Sequence, residues 1–110
     1  MRIINVDENG IKFDNGNFLH YDFLYTGCSF NYADWKQIED LALDTDFDEA
    51  SFTLESCAYG FRFGNPPIKM FFIPCYSEQN GYYDYSIDVM FRDYHGKLLA
   101  SLGVECKDAL

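Results

Sequence analysis

Apolar and polar positions alternate with a period of two along most of this chain. Tyr83, Tyr85, Ile87, Val89 and Phe91 fall on one face of a strand, and Tyr82, Asp84, Ser86, Asp88 and Arg92 on the other. After His95-Gly96 the pattern repeats, with Leu98, Ala100, Leu102, Val104 and Cys106 facing inward. Leu19, Tyr21, Phe23 and Tyr25 share a face, and so do Tyr59, Phe61 and Phe63. Alternation of this kind predicts half-buried antiparallel strands, because successive side chains of a strand point to opposite faces. Ile68 to Ile73 is apolar on both faces except for Lys69, which predicts a central strand. Pro74 lacks an N–H and is expected to end the pairing or sit at a bulge.

Turn chemistry separates these runs. Asn9-Gly10, Asn15-Gly16 and Asn80-Gly81 are the dipeptides favoured in two-residue hairpin turns with positive φ. His95-Gly96 and Gly64-Asn65-Pro66-Pro67 mark two further reversals. A single segment, Ala33 to Leu43, has helical spacing, carried by Trp35, Ile38 and Leu41-Ala42. Asn31 is its expected N-cap, Asp34 suits the helix dipole, and Trp35 pins the helix to the sheet. The expected fold is therefore α+β and mainly β. It is an antiparallel twisted sheet of about 7–8 strands with one short helix packed on it. Residues 1–110 form one globular domain, long enough to stand without staples.

Charge changes this picture in one place. Eight of the eighteen acidic residues lie between Asp34 and Glu55, where Lys36 is the one base. That segment carries −7 of the chain's formal −10, so the strands around it are nearly neutral. Glu39, Asp40, Asp44, Asp46, Asp48 and Glu49 are the candidate acidic binding surface, suited to a partner with a basic face. Direct nucleic-acid binding is disfavoured, since the chain repels a polyanion and has no basic stripe. No apolar run reaches the length of a signal peptide or membrane span, so a cytoplasmic protein without membrane contact is expected. Cys28, Cys57, Cys75 and Cys106 form no Cys-x-x-Cys pair and read as reduced, small core hydrophobes.

Candidate chemistry is sparse. Asp44 to Glu55 places Asp at positions 1, 3 and 5 and Glu at position 12, as a calcium-binding EF-hand loop does. Position 6 is Glu49 where that loop needs Gly, and a strand follows instead of a helix, so no tight metal site and no cofactor are expected. His20 and His95 have no nucleophile or orienting acid in a local pattern, and the protein reads as non-enzymatic. Arg62 and Arg92 stand on aromatic-rich strands. With Tyr76, Asn80 and Tyr82 they form an alternative ligand-binding set, with guanidinium on a phosphate and ring on a base. The blander reading pairs each Arg with Asp84, Asp88 or Asp93.

Three segments, Ile73 to Tyr83, Phe13-Asp14-Asn15-Gly16 and Tyr32-Ala33-Asp34-Trp35, resemble small proteins carried by phages and prophages of Gram-positive and gut bacteria. The order of hairpin, acidic helix region and Asn-Gly-Tyr-Tyr hairpin is also loosely similar to phage anti-defence proteins, the Thoeris-type sponges among them. The resemblance implies a counter-defence role by binding. Three function classes follow. The first is a non-enzymatic inhibitor of a bacterial immune protein, such as a CRISPR effector, acting through the acidic surface in the host cytoplasm. The second is a sponge that sequesters a cyclic nucleotide signal. The third is a structural or assembly protein of a mobile element. The sequence leaves the oligomeric state open, a homodimer included.

Overall fold

The computed structural model describes residues 1–22, 31–78 and 86–109. Ten strands lie among them: β1 (Ile3–Asp7), β2 (Gly10–Phe13), β3 (Phe18–Asp22), β4 (Asn31–Ala33), β5 (Thr53–Cys57), β6 (Gly60–Asn65), β7 (Lys69–Ser77), β8 (Ser86–Arg92), β9 (Leu98–Glu105) and β10 (Lys107–Asp108). The fold is α+β and mainly β, with one short α-helix, α1 (Glu39–Ala42). The strands divide between two five-stranded sheets. The first runs β1-β2-β3-β8-β9, and the second runs β10-β7-β6-β5 with β4 also on β7. All pairs are antiparallel except β10 on β7.

Pro74 is the hinge of the second sheet. Gly60 opposite Pro74 is the last β6–β7 pair, and from Cys75 onward β7 pairs with β4 instead. The missing N–H of proline is thus tolerated where one partner strand hands over to the next. Ile68 does not join this strand; it is 91% exposed in the preceding turn.

Side chains from both sheets enclose one hydrophobic core. Ile87, Val89 and Phe91 are buried while Ser86 and Asp88 are exposed, which fixes the β8 register as expected. Tyr83, Tyr85 and Asp84 lie outside the described residues. On β9 the expectation holds only for the C-terminal half. Val104 and Cys106 are buried, but Leu98 is 45% exposed and Ala100 is also exposed. The register shifts here, between Phe91 and Arg92 on β8, and β9 is an edge strand with a neighbour on one side only.

The turns depart from the expected Asn-Gly and His-Gly dipeptides. β1 and β2 are joined at Glu8-Asn9, with Gly10 already paired to Asp7. Gly10 has φ 140°, and a Cβ there would stand 2.0 Å from the Leu19 carbonyl oxygen, so only glycine fits. In the β2–β3 and β8–β9 hairpins the positive φ belongs to Gly16 and Gly96, each closing a three-residue loop, and not to Asn15 or His95.

The helical segment is also shorter than its spacing implies. Ala33 still belongs to β4, a 3-10 turn spans Trp35–Ile38, and α1 adds a single turn. Asn31 is no cap. Its amide donates to the Ser86 carbonyl and its oxygen accepts from the Ser77 hydroxyl, so it ties strands together. Trp35 is 1% exposed and packs against Phe61 of the second sheet and Tyr21 of the first.

Candidate functional site

The acidic segment is a fixed part of the fold and not a solvated excursion. Asp44 takes φ 67°, a left-handed conformation that Asp tolerates better than most residues, and this turns the chain out of α1. The next residues run antiparallel beside the start of β1. Asp44 N–H donates to the Ile3 carbonyl, Ile3 N–H to the Thr45 carbonyl and Phe47 N–H to the Met1 carbonyl, at 2.7–2.9 Å. Strand alternation then puts Asp44, Asp46 and Asp48 outward and Phe47 inward.

Phe47 is the anchor. Its ring meets Phe13, Phe52, Phe63 and Phe71, mostly edge to face, with centroids 5.5–6.3 Å apart. Phe52 reaches Phe91 as well, at 4.9 Å. These two residues, one within the acidic run and one just past it, link β2 and β8 of the first sheet to β6 and β7 of the second. Edge-to-face pairs of this kind add stability beyond area burial.

The six predicted acids differ in what they touch. Asp48 is structural as well as charged. Its carboxylate accepts from Ala50 N–H and the Ser51 hydroxyl, capping a 3-10 turn at Glu49–Ser51. The Asn65 side chain brackets its backbone, accepting from Asp48 N–H at 2.8 Å and donating to its carbonyl at 2.9 Å. Asp46 lies 3.3 Å from the Met1 ammonium, while Lys69 Nζ donates to its carbonyl. Glu49 accepts from the Asn15 amide. Asp40 and Asp44 are exposed, and Glu39 is half-buried on α1. Among the described residues no group of three or more His, Cys, Asp or Glu side chains converges to hold a metal. Glu55 does not close back on Asp44, because it lies on β5 beside Arg62.

The alternative set is spread over the molecule. Arg62 and Tyr76 belong to the second sheet, Arg62 beside Glu55 and Tyr76 against Tyr32. Arg92 is on the first sheet, and Asn80 and Tyr82 lie outside the described residues. Arg92 bonds neither Asp88 nor Asp93, and Asp84 lies outside the described residues. It donates from Nε to His20 Nε2 at 3.1 Å, from Nη1 to the Gly96 carbonyl at 3.0 Å and from Nη2 to Met90 Sδ at 3.2 Å. Sequence reasoning missed His20 in this role because it lies 72 positions away. It also missed Phe47 and Asn65, which position the acids.

A cavity of about 340 Å³ opens along β2 and β3, lined by Asp7, Lys12, Phe18, His20 and Tyr21 among others. A smaller one of about 220 Å³ lies between Glu8, Tyr32, Asp34 and Lys36. The Asn9 N–H and Asn5 amide bonded to Asp7 hold its carboxyl below the usual range.

Cys75 and Cys106 are buried and Cys57 is half-buried; Cys28 lies outside the described residues. The neighbouring Cys106 thiol and burial raise Cys75, while the same neighbour lowers Cys106; burial raises Cys57. In maleimide labelling followed by peptide mapping, Cys57 is expected to react slowly, and Cys75 and Cys106 only on unfolding. Labelling of Cys75 in the native protein at the rate of a free thiol would contradict this packing.

No helix among the described residues is long and apolar enough to cross a membrane. No protein-family model matches the chain, and no curated protein or solved structure is detectably similar to it.

Proposed function

We propose that the protein is a non-catalytic inhibitor that binds a basic surface of its partner through Glu39, Asp40, Asp44, Asp46, Asp48 and Glu49. One observation carries the reading. Phe47 and the pairing with Met1–Ile3 fix the backbone of the acidic run while its carboxylates point outward. Charges held on an ordered backbone lose less entropy on binding than the same charges on a free loop. They also steer a basic partner and speed its approach. The partner class is a bacterial immune protein such as a CRISPR effector, met in the host cytoplasm, as the phage resemblance implies.

The test neutralises Asp40→Asn, Asp44→Asn, Asp46→Asn and Glu49→Gln together. Asp48 is left in place because it caps the 3-10 turn. The wild-type protein is expected to restore phage infection in a strain carrying the targeted immune system. The quadruple variant is expected to lose that activity while melting near the wild-type temperature, since the repulsion it removes offsets the loss of the Met1–Asp46 ion pair. Binding of the wild type to the immune protein should weaken steeply with salt. Full activity of a folded quadruple variant would sink the proposal.

A further inference from the structure

We propose that the outer face of the first sheet holds a second site, for a small organic anion with a flat ring: the ring lies on Phe18, and the anionic group is held by Arg92 and Lys12. The inference does not depend on the acidic-surface reading. Lys12 pairs with Phe18, and Phe18 pairs with Arg92, in register across β2, β3 and β8. Directly opposed residues share a face, so one row presents a cation, an aromatic ring and a cation. Adjacent strands lie about 4.8 Å apart, so the two cationic residues flank the ring at roughly 10 Å across the backbone. Lys12 and Phe18 of this row line the 340 Å³ cavity together with His20 and Asp7, and Arg92 stands beside it on His20. The Phe18 and His20 rings are 5.2 Å apart and widen the flat surface.

Arg92 points to an anion most directly. Its three acceptors are an imidazole nitrogen, a carbonyl and a thioether, all uncharged. They use Nε–H and one N–H of each terminal nitrogen. A guanidinium has five N–H groups, so one remains on each of Nη1 and Nη2. Those two are left to donate to a carboxylate or phosphate in charge-assisted bonds. The half-buried guanidinium is thus oriented by neutral groups, with its charge uncompensated by any ion pair among the described residues. Lys12 likewise makes no ion pair among them. Of the nearby carboxylates, Asp7 lines the cavity, accepts from Asn5 and Asn9 and lies within the field of Lys12, and Asp88 lies further along the outer face of β8. The dense acids lie on the segment paired with Met1–Ile3, so β1 separates them from Lys12.

The probes are phenyl phosphate and benzoate, with inorganic phosphate and benzyl alcohol as the anion and ring alone. Calorimetry and amide chemical shifts are the readouts. Saturable binding of phenyl phosphate or benzoate is expected, with shifts at Lys12, Phe18 and Arg92, and the isolated halves at least about tenfold weaker. Arg92→Gln should weaken binding at least about tenfold, as loss of charge-assisted bonds does. Because Arg92 also braces the β8–β9 hairpin through Gly96, Lys12→Gln is the second variant: it is exposed, should fold unchanged by circular dichroism, and should weaken binding severalfold. The quadruple acid variant should bind the probes as well as wild type. No saturable binding of either probe up to roughly 10 mM would overturn the proposal. So would inorganic phosphate matching phenyl phosphate, or a folded Lys12→Gln and Arg92→Gln pair both binding as wild type.

Discussion

Truncating Phe47 to Ala is expected to remove about 3–5 kcal/mol of stability, read as a shift in the urea midpoint at unchanged slope. The ring is 3% exposed and touches four other phenylalanines, drawn from both sheets and from the segment beside it. No neighbouring group can fill its volume without dismantling those edge-to-face contacts. The loss approaches half of a typical domain's ~5–15 kcal/mol, so the variant should melt well below wild type. Binding should fall with it, because the acids on either side lose their fixed backbone. A cost below about 1 kcal/mol would mean that Phe47 does not bridge the sheets.

Ile87→Asp should leave no cooperative unfolding transition at all. Ile87 is 5% exposed on β8, which is interior to the first sheet between β3 and β9, and it pairs with Val104. Its β9 partner Val104 and that residue's neighbours Gly103 and Glu105 offer no cation to pair with a carboxylate. An unpaired buried carboxylate costs several kcal/mol even after it takes up a proton, and the lost apolar burial adds to that. Ser86→Asp, one position away on the exposed face, is the control and should melt near wild type. A sharp native-like transition for Ile87→Asp would mean that the β8 register is wrong.

The strands were legible where local period is decisive. Ile87, Val89 and Phe91 alternate with polar neighbours, and burial follows that alternation. Which strands pair is a matter of contacts distant in sequence, and period two carries no information about it. The division into two sheets was therefore not readable, although Pro74 did mark the place where β7 changes partner. Asn31 shows tertiary bonds overriding a local capping preference, since Ser77 and Ser86 claim its side chain. The acids of the candidate site could be read directly from charge density. Phe47 could not, because a single ring within a charged run has no periodicity. Arg92 was visible as an isolated base, but its surroundings depend on a β3–β8 register that only the fold reveals.

Edge strands expose unpaired backbone groups that can template aggregation, and natural proteins protect them with charge or cover. β1 is one edge of the first sheet, and the chain lays its most negative stretch along the beginning of that edge. The backbone of Asp44 to Phe47 occupies donors and acceptors that another copy would otherwise pair with, and the outward carboxylates repel any copy that approaches. At the opposite edge, Leu98 to Val104 on β9 contains no charged residue and no proline. The two rims of the sheet are therefore guarded unequally: charge lines the start of β1, and none lies on β9 between Leu98 and Val104.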